Sequence, residues 1–400
     1  MEVKPGYKQT EVGVIPKEWE ATTIGDVASF SGGSQPPRST FRFSPTNGYI
    51  RLIQIRDYKT DDFATFIPET FARKRCTTDD IMIGRYGPPI FQILRGIDGA
   101  YNVALIKASP SARIDREYFF NVLKQDSLFQ LIESLSRRSS GQTGVELPAL
   151  RGFGLPLPPL PEQRATAGAL SDMDALLGAL DQLIAKKRDL KQAAMQQLLT
   201  GQTRLPGFHG EWETKRLGDI LKVRHGKSQH GITAPDGEYP ILASGGEIGR
   251  TNSFIYDKPS VLIGRKGTID SPQYVDSPFW TVDTLFFTEI STEADAKFVF
   301  YKFIMIRWRS YNEASGVPSL NAKTIENIEI EIPSHAEQTA IAEMLTDMDA
   351  ELAALAQRRA KTRALKQGMM QELLTGKTRL VGKKSEASRK SPDQNSTGEP

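Results

Sequence analysis

Two stretches of the chain carry apolar residues at alternating spacings of three and four. The first runs Leu170, Met173, Leu177, Leu180, Ile184, then Lys187, Lys191, Ala194 and Leu198. The second runs Leu345, Met348, Leu352, Leu355, then Arg359, Thr362, Lys366, Met369 and Leu373. This is the seam of a coiled coil, polar in its second half. Both stretches are rich in Ala, Leu, Lys, Gln, Glu and Met and have no proline after Pro161, which predicts two long helices. Pro161 and Glu162 suit the first turn of one, and Ser334 and Glu337 stand in capping-box spacing at the start of the other. Each closes on Leu-Leu-Thr-Gly, putting Gly201 and Gly376 where a left-handed residue ends a helix. About 39 residues at 1.5 Å each make a rod of roughly 58 Å.

Elsewhere the pattern is one of short strands with some helix. Tyr49–Ile55 and Ser260–Ile263 are apolar, β-branched runs bounded by Gly, Pro or Asp. Helical periodicity appears near Tyr118–Leu135 and Ala296–Trp308. Leu155–Pro159 and Ile328–Pro333 read as a last strand and a hinge into each rod, because proline ends a ladder.

The rods are copies of one another. Residues 162–205 and 337–380 share 28 of 44 ungapped positions at a constant offset of 175. The intervening regions repeat only at anchors. Glu18-Trp19-Glu20 with Gly25-Asp26 returns as Glu211-Trp212-Glu213 with Gly218-Asp219; Ile83-Gly84-Arg85-Tyr86-Gly87 as Ile263-Gly264-Arg265-Lys266-Gly267; Ser140-Gly141 as Ser315-Gly316. The offset changes between anchors, so loops differ in length on a shared frame, as expected of one scaffold reading two targets. Each rod needs a partner surface. Packing of each rod on its own domain is one arrangement; antiparallel packing of the two rods, which returns the chain to a second equivalent domain, fits better and leaves faces for another protein.

Composition narrows the role. Lys+Arg 51 against Asp+Glu 48 gives a net charge of only +3, so nucleic-acid binding must come from local clusters. One cysteine, Cys76, and four histidines argue against a disulfide framework or structural zinc. The polar N-terminus and the lack of a long apolar run point to a cytoplasmic protein without membrane contact, and the polar residues after Val381 to a disordered tail.

Catalytic motifs are missing. Gly226-Lys227-Ser228 and Gly376-Lys377-Thr378 resemble the end of a phosphate-binding loop, but Leu221 and Gln371 stand where its first glycine belongs. No dinucleotide or S-adenosylmethionine fingerprint follows a strand. His225 and His230 lack metal-ligand neighbours and fit a surface loop. No catalytic or metal residue is assigned. Binding chemistry is better represented. Glycines flank a cation in Gly84-Arg85-Tyr86-Gly87 and in Gly264-Arg265-Lys266-Gly267, allowing close backbone approach while the side chain reaches a phosphate or forks onto guanine. Ser34, Gln35, Arg38, Arg56, Arg137, Arg138, Ser139, Ser140 and Gln142 in the first half, and Lys227, Ser228, Gln229, His230, Arg250, Thr251 and Asn252 in the second, form further polar clusters. Of these, Arg38, Arg56, Arg85, Tyr86, Arg138, Gln142, Lys227, Gln229, Arg250, Arg265 and Lys266 are the candidate DNA contacts. Lys186–Arg188 and Arg358, Arg359, Lys361 and Arg363 make a basic patch midway along each rod, suited to track a DNA backbone or to pair with acids on a partner subunit.

The order of variable region, repeated helix, variable region, repeated helix, the Glu-Trp pairs, and the Glu162-Gln163/Glu337-Gln338 and Leu-Leu-Thr-Gly boundaries together resemble the specificity subunit of a type I restriction-modification system. The resemblance implies an α+β fold: two mixed α/β target recognition domains, 1–160 and 204–334, each followed by a long helix, 161–203 and 335–377, with a tail at 378–400. The helices would form an antiparallel coiled coil with pseudo-two-fold symmetry. It further implies recognition of a bipartite, asymmetric double-stranded DNA site and no catalysis by this chain. Two modification subunits would methylate adenine with S-adenosylmethionine, and restriction subunits would translocate and cut DNA with ATP and Mg. A self-contained restriction-methylation enzyme would need a further domain for which no stretch is free; a scaffold that does not bind DNA would leave the divergence between anchors unexplained.

Overall fold

The computed structural model of the chain describes residues 3–138 and 144–380, with the side chains of Arg137 and Arg138 outside the description. The anchor Ser140-Gly141, the candidate Gln142, the side chain of Arg138 and the tail from Val381 therefore lie outside the described residues. The chain divides into two compact units, Met1–Gly178 with Ala360–Pro400, and Ala179–Arg359. Each unit holds one variable region and part of each long helix.

In the first unit, strands Ala28–Gly32, Leu105–Pro110, Ile81–Gly84 and Gln92–Leu94 form one four-stranded antiparallel sheet, in that spatial order. A second sheet orders Phe66–Pro68, Tyr49–Ile53, Gly99–Tyr101 and Arg75–Cys76. The unbroken apolar run Ile81-Met82-Ile83 follows from its place between two cores. Ile81 and Ile83 pack with Ile24, Tyr118, Phe119 and Leu170, while Met82, on the opposite face of the strand, packs with Ile53, Tyr101 and Leu105. The second unit repeats the plan. Its strands Leu221–His225, Leu285–Ile290, Ser260–Gly264 and Gln273–Val275 make the four-stranded sheet; Val261 and Ile263 face one core and Leu262 the other.

The long helices span Leu160–Leu198 and His335–Leu373, and both Gly201 and Gly376 take positive φ, +71° and +74°. Within the second unit the two helices run antiparallel, since partner numbers fall on one as they rise on the other. In the second unit Lys187 meets Glu351 at 2.8 Å, Lys191 pairs with Asp349, and Arg359 with Asp181. In the first, Lys366 meets Asp174 at 2.6 Å. The polar second half of each seam thus faces the acids near the start of the other helix. The inward members of the basic patch, Lys187 and Arg359, are spent inside the chain, which corrects the expectation that they serve DNA or a separate subunit. Each helix also packs on its domain: Ala167 and Leu170 enter one core, Ile341, Ala342 and Leu345 the other.

Three local expectations shift. The helix near Tyr118–Leu135 is two, Arg116–Leu123 and Asp126–Arg138, the break letting Leu128 and Ile132 turn into the core. The strand from Tyr49 stops at Ile53, because Gln54 N–H donates to Asp57 at 2.9 Å and opens a 3-10 turn over Ile55–Tyr58. Glu337 does not serve the Ser334 backbone as a capping-box residue; its buried carboxylate takes two bonds from Arg204, each 2.5 Å.

Candidate nucleic-acid interface

One turn organises each candidate surface: the residues leading into the central strand, Asn102–Ala104 before Leu105 and Val282–Thr284 before Leu285. Three other segments bond to it or to its neighbours. Gly33 N–H donates to Leu105 O at 3.0 Å and Ser34 N–H to Tyr101 O at 3.1 Å; in the second unit Gly226 N–H donates to Leu285 O at 3.1 Å and Lys227 N–H to Thr281 O at 2.9 Å. A Cβ on Gly33 would lie 1.9 Å from Asn102 O, and one on Gly226 2.0 Å from Val282 O, so only glycine permits this approach.

The basic turns close from the other side. Arg85 N–H donates to Ala104 O and Arg265 N–H to Thr284 O, both at 2.8 Å. Gly87 and Gly267, at φ +109° and +86°, supply the left-handed backbone that ends each turn. A fourth segment seals them: Val145 N–H donates to Arg85 O at 3.2 Å, and Leu320 N–H to Arg265 O at 2.9 Å. Each unit thus gathers three loops that are distant in sequence around one turn, four segments in all, held by main-chain bonds that leave side-chain identity free to differ.

The structure brings Ser34, Arg85 and Tyr86 together in the first unit, and Lys227, Arg265 and Lys266 in the second. Arg85 stacks over the Tyr86 ring at 5.4 Å. The Nε of Arg85 and of Arg265 is buried without a hydrogen-bond partner. Arg38 lies exposed on the short 3-10 turn Arg38–Thr40, and Arg56 on the turn Ile55–Tyr58, its guanidinium over Phe63 at 5.6 Å. Gln229 sits in the loop after Lys227, its carbonyl accepting from Ile232 N–H at 3.2 Å. Arg250 is committed locally, donating to Gly237 O and Glu238 O at 2.7 Å and to Glu247 at 3.1 Å; it ties its hairpin together. Among the described residues no cluster of three metal-ligating side chains forms, and no helix is long and apolar enough to cross a membrane.

Sequence reading missed the organising turn, because nothing in Asn102–Ala104 or Val282–Thr284 is a motif. Its one signal was positional, since both triplets precede an apolar run at equivalent distances from the glycine-flanked cations. It also missed two equivalent clefts. In the first unit Arg363, Lys366, Gln367, Met370 and Gln371 line a cleft of about 400 Å³ against Lys124–Ser127. In the second, Arg188, Lys191, Gln192, Met195 and Gln196, the same residue types at the repeat offset, line one of about 380 Å³ against Ile304 and Met305.

The family model described as the type I restriction modification DNA specificity domain matches twice, over residues 16–186 and 209–362. The chain belongs to that family, and with it to the specificity subunits of type I restriction-modification systems. Among curated relatives, the putative type I restriction enzyme MjaX specificity subunit of Methanocaldococcus jannaschii is 25% identical, with 94% of this chain and 97% of that one aligned. The MjaVIII specificity subunit of the same organism is 23% identical over 92% and 94%. Among solved structures, the type I restriction-modification S subunit from M. genitalium shares the fold at a TM-score of 0.62 and 16% identity, covering 94% of this chain and 98% of that one. A chain from a structure described as concerning complex assembly and conformational transition of the type I R-M system follows at 0.57 and 17% identity, covering 91% and 99%.

Proposed function

We propose that the two four-loop clusters each read one half of a bipartite, asymmetric double-stranded DNA site, and that the chain, itself non-catalytic and cytoplasmic, directs adenine methylation and DNA cleavage by partner subunits. The regions 1–160 and 204–334 act as target recognition domains; the long helices carry them and the partners. The observation that supports this most is the twofold construction: identical main-chain anchors around diverged side chains suit two readers of different sequence. Arg38, Arg56, Arg85, Tyr86, Arg138, Gln142, Lys227, Gln229, Arg265 and Lys266 are the proposed contacts, with Arg250 supporting its hairpin. The paired clefts on the repeated helices support docking of two copies of one modification subunit, since a repeated partner needs a repeated surface. Their exposed arginines, Arg188 and Arg363, favour acidic residues on that partner. Restriction subunits join through the family's shared assembly, and S-adenosylmethionine, ATP and Mg belong to the partners.

Mapping methylated adenines in cells carrying the complete system tests the reading. The expected result is a split site with an unread gap, in which Arg85→Ala alters or weakens only one half and Arg265→Ala with Lys266→Ala only the other. A contiguous site, or both halves changed by either variant, would overturn it. A scaffold that does not bind DNA is separated by a gel shift of the chain with its purified methyltransferase partner.

A further inference from the structure

The two basic turns share a frame but not a chemistry. The bonds from Arg85 to Ala104 and from Arg265 to Thr284, both 2.8 Å, make Val103 and Asp283 structurally equivalent neighbours of the two arginines. Val103 is 39% exposed. The Asp283 carboxylate, 66% exposed, lies 4.0 Å from Nη2 of Arg265, which is itself only 29% exposed. Lys266 is exposed beside them and, among the described residues, has no carboxylate within ion-pair distance.

An exposed carboxylate at this place is unfavourable against a phosphate, whose charge it repels and whose attraction to Arg265 it offsets. It is favourable against a base amino group. The major-groove edge of a G·C pair presents two acceptors, guanine N7 and O6, beside one donor, cytosine N4. An arginine fork next to a carboxylate presents the complementary set. Arg265 also keeps Nε buried and unpartnered, and its main chain is fixed on both sides, by Thr284 and by Leu320, which holds the pair in place.

We propose that Asp283 is a specificity-determining residue: with Arg265 it reads one G·C base pair in the half-site of the second domain, while Lys266 contacts the backbone. The first domain, with Val103 at the equivalent position, lacks the acceptor for cytosine. This rests on the DNA-reading function proposed above.

The test is selection from a pool of duplexes randomised across the site, using the full chain with its modification subunits, followed by binding of the selected duplexes over a range of salt concentrations. The wild type is expected to require G·C at one position of the second half-site. Asp283→Val, which installs the counterpart's side chain at an exposed position, is expected to lower that preference by roughly tenfold or more, with all other positions unchanged. Asp283→Asn, which keeps an acceptor, is expected to retain it. Lys266→Ala is expected to reduce the slope of log affinity against log salt by about one with base preferences intact. Asp283→Val with every preference unchanged, or with changes in the first half-site, would overturn the role of Asp283 while leaving DNA reading standing. A wild-type complex that selects no sequence would overturn the DNA reading and this assignment with it.

Discussion

In the first unit Glu162, buried at the start of the first long helix, accepts two 2.8 Å bonds from Arg379 and one of 3.0 Å from the indole of Trp19. In the second unit Glu337 accepts the equivalent pair from Arg204, but the indole N–H of Trp212 is buried with no acceptor, and the ring instead lies 5.7 Å from the Arg204 guanidinium and 5.4 Å from the Lys302 ammonium. The glutamate, the arginine and the tryptophan are shared, yet one clasp closes all its polar groups and the other leaves a donor unused. A repeated segment therefore fixes which residues meet; the variable region decides how well they are satisfied.

Removing the glutamate probes the difference most strongly. Glu162→Ala leaves the buried Trp19 indole without an acceptor and Arg379 with only its 2.8 Å bond to Glu18, and is expected to cost about 2–4 kcal/mol. Glu337→Ala leaves no indole donor behind and Arg204 with its 2.6 Å bond to Gly210 O, and is expected to cost less. Hydrogen exchange resolved by unit measures both, and a larger loss from Glu337→Ala would break the comparison. The closing glycines come next. A Cβ at Gly376 would lie 2.6 Å from Pro16 Cδ and 3.1 Å from the Trp19 ring, whereas at Gly201 its nearest neighbour is Trp212 at 3.4 Å. Both substitutions strain a left-handed residue, about 1 kcal/mol, so Gly376→Ala is expected to destabilise its unit by clearly more than Gly201→Ala; equal losses in denaturation would show that the first clasp yields.

Lys302 supplies the third contrast. It is 9% exposed, donates to Leu199 O at 2.8 Å at the end of the first long helix, and stands where the first unit has Val122. Burial pushes its pKa down from 10.5 to about 8, with Glu331 opposing. The unfolded chain then binds the proton more tightly, so the charged form costs stability in full below about pH 8, and that cost is relieved as pH rises toward 10.5. Stability of the second unit is expected to climb across that window by up to about 3 kcal/mol, and Lys302→Met to flatten the climb; an unchanged slope in the variant would remove Lys302 as its source. The smallest effect is on the indoles. Trp19→Phe gives up a bond to a buried carboxylate, about 1–2 kcal/mol, whereas Trp212→Phe removes an unpaired donor and is expected to be nearly neutral in thermal unfolding.

The long helices were legible because periodicity, composition and terminal glycines all agree over many turns. Their antiparallel pairing was legible as well, since two copies must return the chain to equivalent domains. The fate of the seam's polar half was not: Lys187, Lys191 and Lys366 find carboxylates on the other helix that periodicity alone does not pair with them. The glycine-flanked cations Arg85 and Arg265 could be found by repeat alignment. Arg250 shows where that method runs out, because a cation in a polar loop reads the same whether its guanidinium faces solvent or three local acceptors.

The sequence by itself determined the twofold plan, the helices, the glycines that end them and the cations worth watching, because each depends on local spacing or on identity between copies. Only the tertiary structure decided that Glu162 belongs to Arg379 and Trp19, that Lys302 is buried, and that Asp283 stands beside Arg265 where Val103 stands beside Arg85. Those facts depend on main-chain bonds between segments far apart in the chain, and short-range pattern carries no record of such bonds.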